Sequence, residues 1–209
     1  MKFYDCKTAP SPRRVRMFIV EKGLDVETVQ IDLMTGEQFG EAFTAINPDQ
    51  VVPALQLDDG TCLTEAMAIC EYLEAEHPEP PLFGRNNVER GKAVMWNCKA
   101  EQQGLWSVAE AFRNSVPGLK DRALPGPDPY PQIPELAARG GARYRQFAKR
   151  LEQHLANNEF LAGDFFSIAD ITALVAVDFA KRLKLPGPDD TTNLDRWHAS
   201  VSSRPSAQA

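Results

Sequence analysis

The residues able to do chemistry are few and lie far apart. Four cysteines stand at positions 6, 62, 70 and 98, with no C-x-x-C pair and no metal-ligand spacing. His77, His154 and His198 have no second ligand at helical or turn spacing, so no metal site is expected. Cys6 ends a first strand without a partner cysteine and reads as a buried structural thiol. Three helix starts carry more. Ser11 directly precedes Pro12, a residue suited to the first helical position, so a helix is expected to begin there with Ser11 as N-cap. Thr64-Glu65-Ala66-Met67 reads as a second start, capped by Thr64. Its unpaired first-turn amides and positive dipole end form an anion site. Ser167, with Asp170 three residues on and an apolar run behind it, is a capping box and nothing more.

The elements that position these residues fall into two groups. Before His77-Pro78-Glu79-Pro80-Pro81, short strands alternate with helices. Phe3-Tyr4 opens one strand, and Val26, Val29 and Ile31 mark another. Ala54 to Leu57 and Thr61 to Leu63 flank Asp59-Gly60 as a hairpin. Helices are expected from Pro12 to Lys22, closed by Gly23, more weakly from Thr35 to Ile46, and from Glu65 to Glu76. The order is β-α-β-α-β-β-α. After Pro81 the strand signal disappears. Helices are expected over Val88 to Asn114, Leu136 to Asn157, Ile168 to Arg182 and Leu194 to Ser203. Pro117 to Pro134, with six prolines, joins the first two. The fold class is therefore an α/β domain over residues 1–79 and an all-helical domain over residues 86–209.

At 209 residues and 43% hydrophobic, the chain can bury a core and is neither disordered nor fibrous. Its net charge of −6 divides into −9 over residues 1–80 and +3 over the rest. Neither part has the basic excess that nucleic-acid binding needs. Met1 to Arg16 holds five basic residues and no apolar core, so it does not read as a signal peptide. Ile171 to Ala180 is too short to span a bilayer. No nucleic acid or membrane partner is expected, and a reducing cytoplasm suits the cysteine usage.

In order and spacing, five segments together resemble the cytosolic glutathione transferases of the bacterial type, over essentially the whole chain. They are Ala9-Pro10-Ser11-Pro12-Arg13-Arg14-Val15-Arg16 with Glu21-Lys22-Gly23, Asn47-Pro48 with Val52-Pro53-Ala54-Leu55, Leu63-Thr64-Glu65-Ala66, Ser167-Ile168-Ala169-Asp170-Ile171, and Ser203-Arg204-Pro205-Ser206. The resemblance implies a thioredoxin-like first domain, a helical second domain, a homodimer, and glutathione as co-substrate along the first domain's edge. The implied activity is attack of the glutathione thiolate on a small hydrophobic electrophile, by substitution or conjugate addition, with peroxide or disulfide reduction as related chemistry and detoxification as the setting. The competing reading is a binding or regulatory module that kept the fold and lost the chemistry.

The resemblance also assigns residues. A cis Val52-Pro53 bond would turn the Val52 backbone outward to pair with the cysteinyl part of glutathione, unless Pro53 only shapes a turn. The anion site at the second helix start suits the γ-glutamyl carboxylate, and Glu65 its ammonium. Ala66 stands where the family usually has Ser, which removes one hydroxyl contact. Gln38 aligns near the glycyl carboxylate or is a solvated helix residue, and Val51 replaces a basic residue there. Ser11 is the thiolate's partner, or a cap only, or else the backbone amides of Ala9 to Ser11 act in its place. Gln103, Trp106 and Arg113 are assigned to the electrophile pocket between the domains, against the alternative that such residues are core. The chain ends soon after Pro205, so an open site is expected.

Overall fold

The computed structural model describes all residues, Met1 to Ala209, and divides into two compact units, 1–80 with 125–128 and 209, and 81–124 with 129–208. The first is built on a four-stranded mixed sheet. Its strands are β1 (Lys2–Asp5), β2 (Glu27–Gln30), β3 (Ala54–Gln56) and β4 (Cys62–Thr64), in the order β2-β1-β3-β4. β1 runs parallel to β2 and antiparallel to β3, with Phe3 opposite Thr28 and Leu55. A parallel pair needs a crossover, and α1 (Pro10–Glu21) supplies it. β3 and β4 form the hairpin expected around Asp59-Gly60, where Gly60 takes a φ of 89° and Gly60 N–H donates to Leu57. The weak helix expected over Thr35 to Ile46 is in fact a 3-10 turn, Glu37–Phe39, and a single turn, α2 (Glu41–Thr44), separated by Gly40.

α3 (Ala66–Glu76) packs with α1, and the pair is tied by an ion pair between Lys22 and Glu74 at 2.5 Å. Both side chains are buried, so each needs the other's charge. Lys22 Nζ also donates to the Pro80 carbonyl at 2.6 Å.

The second unit is helical: α4 (Asn87–Lys99), α5 (Trp106–Arg113), α6 (Pro134–Leu155), α7 (Ile168–Arg182) and α8 (Thr192–Ser202). The single helix expected over Val88 to Asn114 is interrupted by a wide π turn from Ala100 to Leu105. Two glycines explain how close these helices come. A Cβ on Gly104 would stand 2.6 Å from the Phe147 ring of α6. One on Gly140 would stand 2.5 Å from the Ser107 carbonyl oxygen of α5. The buried α7 starts on the capping box expected at Ser167. Its Asp170 accepts from Ser167 N–H and Oγ, from Leu161 N–H and from Trp197 Nε1. No helix is long and apolar enough to cross a membrane.

Candidate functional site

The first turn of α1 differs from the sequence expectation. The helix begins at Pro10, its N-cap is Ala9, and Ser11 is the second helical residue. The turn that decides this is Cys6 to Ala9, where Ala9 N–H donates to the Cys6 carbonyl at 3.0 Å. Ser11 therefore does not cap the helix. Its Oγ instead accepts from Arg14 Nη2 at 3.3 Å, one turn along α1. An oxygen occupied as acceptor leaves its own proton free to point elsewhere. Pro10 and Pro12 carry no N–H, and Ala9's is spent, so the Ser11 amide is the one unpaired donor of this helix end. Ser11 thus presents an N–H, an O–H and the positive end of the α1 dipole together. Arg14 has no motif of its own in the sequence that marks it as a site residue. Its spacing of three residues from Ser11 is the signal that places it.

A second group stands at the β3 and α3 ends. The Val52-Pro53 bond is cis, and neither the amide nor the carbonyl of Val52 has a partner within the chain. The loop delivering it is organised by Asn47, 1% exposed, whose Nδ2 donates to the Val51 carbonyl at 2.8 Å. Its Oδ1 accepts from Asp49 N–H at 3.1 Å. Two residues on from Pro53, β3 has resumed its ladder, with Leu55 opposite Phe3 and Leu63. Val52 therefore offers a strand-like donor and acceptor at the sheet's margin.

Thr64 does not cap α3, because it pairs with Ala54 as the end of β4. The N-cap is Glu65, which takes a φ of 64° and a ψ of 119°. A non-glycine residue with positive φ is uncommon and gathers at functional sites. Here it turns the chain from strand to helix in one residue. The amides of Ala66 and Ala68 are left without partners and the Glu65 carboxylate is exposed. Gln38 lies in the 3-10 turn Glu37–Phe39 and makes no hydrogen bond within the chain. Its Oε1 is buried without a partner. An unspent buried amide and four unspent backbone groups fit a polar, peptide-like ligand.

In the second unit the three assigned residues lie on the π turn and on α5. Gln103 lies in the π turn and its Oε1 accepts from Arg150 of α6. Trp106 opens α5 and is 49% exposed. Arg113 ends α5 half-buried, with Nε unpaired, and burial followed by the charge of Arg122 lowers its pKa. None of the four cysteines forms a disulfide, and burial pushes the Cys62 thiol up. No group of three His, Cys, Asp or Glu side chains could hold a metal ion.

Comparison with known proteins gives the family and the fold. The Glutathione S-transferase N-terminal domain family matches residues 1–75 and the C-terminal domain family residues 127–205. The chain is 35% identical to Glutathione S-transferase 2 of Saccharomyces cerevisiae over all of its length and 88% of that protein's. It is 39% identical to the Maleylacetoacetate isomerase of Pseudomonas aeruginosa over 54% of this chain and 56% of that protein. The crystal structure of a glutathione S-transferase domain-containing protein from Marinobacter aquaeolei superposes with a TM-score of 0.89 at 38% identity, covering 99% of each chain. The thioredoxin-like unit and the helical unit are the two halves of one known architecture. The chain belongs to the cytosolic glutathione transferase family and is an enzyme of that family.

Proposed function

We propose that this enzyme binds glutathione on its first unit, holds the thiol as thiolate at the start of α1, and directs it at a hydrophobic electrophile. The observation that carries the reading is Ser11, whose N–H and O–H are both unspent at a helix N-terminus. A thiol of pKa ~8.5 is only ~3% ionised at pH 7, and the thiolate is the nucleophile. Lowering that pKa by two units takes ~2.7 kcal/mol of preferential thiolate stabilisation. A hydrogen bond to a charged group supplies ~1.5–3 kcal/mol and a helix end ~0.3–1 kcal/mol. Ser11 is the catalytic residue in this account.

The remaining assignments follow the unspent groups. Val52 pairs with the cysteinyl backbone beyond the cis Pro53. The amides beginning with Ala66 hold the γ-glutamyl carboxylate, Glu65 takes the adjacent ammonium, and Gln38 meets the glycyl end. Of the second-unit residues, Trp106 offers apolar contact, Arg113 a cation, and Gln103 a polar wall shared with Arg150. In the chemical step the sulfur forms a bond to carbon. A leaving group departs with its electron pair, or the pair is taken up by a conjugated acceptor that water then protonates. Related peroxide or disulfide reduction uses the same thiolate. A homodimer working in the cytoplasm, with detoxification as its role, completes the proposal.

A second reading, glutathione-dependent isomerisation, is favoured by the 39% identity to the Maleylacetoacetate isomerase segment. Steady-state rates with a halodinitroarene and with a cis-unsaturated diketo acid separate the two. Conjugation with the first substrate at rates rising with pH supports the proposal. Turnover of the second alone replaces it, and no turnover of either with glutathione bound contradicts both.

A further inference from the structure

The four residues between β1 and α1, Cys6 to Ala9, decide where the first turn of α1 stands. They are held by side chains that the chemistry above does not use. Asp5, the last residue of β1, is fully buried. Its Oδ1 accepts from Arg16 Nη1 at 2.5 Å and its Oδ2 from Gln30 Nε2 at 2.6 Å. Arg16 reaches back from the second turn of α1. Its Nη1 also donates to the Cys6 carbonyl at 3.4 Å, and its Nη2 to the Lys7 carbonyl at 3.2 Å. Gln30, the last residue of β2, completes the circuit by accepting from Lys7 N–H at 3.0 Å. Lys7 is thereby held by both its N–H and its C=O, two residues before the Ala9 cap. The connection is short, so little slack remains between the grip on Lys7 and Ser11.

Hydrogen bonds weaken steeply as their angle falls, and small misplacements of a catalytic group cost rate. We propose that Gln30, Asp5 and Arg16 form a brace that positions the thiolate site, setting through Cys6 to Ala9 the direction in which Ser11 meets the sulfur. The inference rests on the reading of the α1 start as the thiolate site. All three are positioning residues. The Arg16 charge is matched by Asp5, which separates positioning from a direct charge effect.

The test is the pH dependence of glutathione conjugation to a neutral halodinitroarene, for wild type, Gln30→Ala and Asp5→Asn. Gln30 is exposed, so Gln30→Ala is expected to fold with an unchanged circular dichroism spectrum. Its acidic limb is expected to move up by about one pH unit, a loss of about tenfold at pH 6 that recovers by pH 9. A merely structural role would lower the rate by the same factor at every pH. Asp5→Asn leaves the Arg16 cation unmatched. If charge alone mattered, its limb would move to lower pH, whereas positioning moves it to higher pH. If Asp5→Asn does not fold, Gln30→Ala decides. An unmoved limb in Gln30→Ala, a uniform loss, or an acid-side shift in Asp5→Asn overturns the proposal. A wild-type limb at the free thiol value is a different failure, since it removes the thiolate reading and the brace with it.

Discussion

At the scale of single residues, the site is an economy of unspent groups. Ser11, Val52, Ala66 and Gln38 each keep a donor or acceptor that folding does not use. In a folded chain such groups are the exception, because leaving one buried and unpaired costs about 1–3 kcal/mol. Ala66 is the position where this set is thinnest. It is buried at the first helical position of α3, where, in the proposed binding mode, a hydroxyl would join the backbone amides on the γ-glutamyl carboxylate. Ala66→Ser is therefore expected to add one hydrogen bond of about 0.5–1.5 kcal/mol and lower the KM for glutathione about two- to tenfold. Steady-state kinetics at saturating electrophile checks this, and an unchanged KM would place the carboxylate elsewhere.

At the scale of elements, the second unit depends on two contacts that tolerate no change. Gly140 lets α6 lie against the α5 backbone, and the nearest atoms to a new Cβ are main-chain, which cannot rotate away. Gly140→Ala is expected to destabilise the unit by about 2–4 kcal/mol, read as a lowered urea midpoint. The α7 start depends on Asp170, fully buried and facing four donors. Asp170→Ala leaves those donors unpaired, a loss of about 3–5 kcal/mol. Burial outweighs the donors and pushes the Asp170 carboxyl up to about 6. A carboxyl raised on folding stabilises most below its unfolded value of ~3.9, and that contribution is lost as pH rises through about 6. Urea midpoints of wild type and Asp170→Asn between pH 4 and 7 should show it. Wild type loses stability relative to the variant as pH rises, and parallel curves would contradict the assignment.

These elements also show how far local pattern carries. The α7 boundaries were legible because Ser167 and Asp170 satisfy each other within three residues. The α1 start was not, because Pro10 and Pro12 both suit the first turn. The choice between them is made by the Cys6 to Ala9 turn and by Arg16, eleven residues from Asp5. Thr64 has the residue type of a cap, yet its pairing with Ala54 across the hairpin outweighs that preference. The π turn at Ala100 to Leu105 answers to Phe147 on another helix, so nothing nearby in the chain announces it beyond Gly104.

At the scale of the whole molecule, two units of opposite charge balance are joined in a 23.2 kDa chain. The division at the prolines was visible in the sequence, and so was the change from mixed to helical structure, because both are matters of composition and period. The brace was not, because it depends on distances across the sheet. As a homodimer the protein should elute with twice the chain mass in light scattering, and a single-chain mass at micromolar concentration would refute that part of the proposal. The central claim is that the start of α1 ionises glutathione through Ser11. It is tested most directly by ultraviolet titration of the glutathione thiolate on wild type and Ser11→Ala. A bound thiol pKa well below ~8.5 in wild type, returning toward that value in the variant, is the expected result. An equally low pKa in both would move the role to the backbone amide and helix end. A wild-type pKa no lower than that of free glutathione would contradict the account.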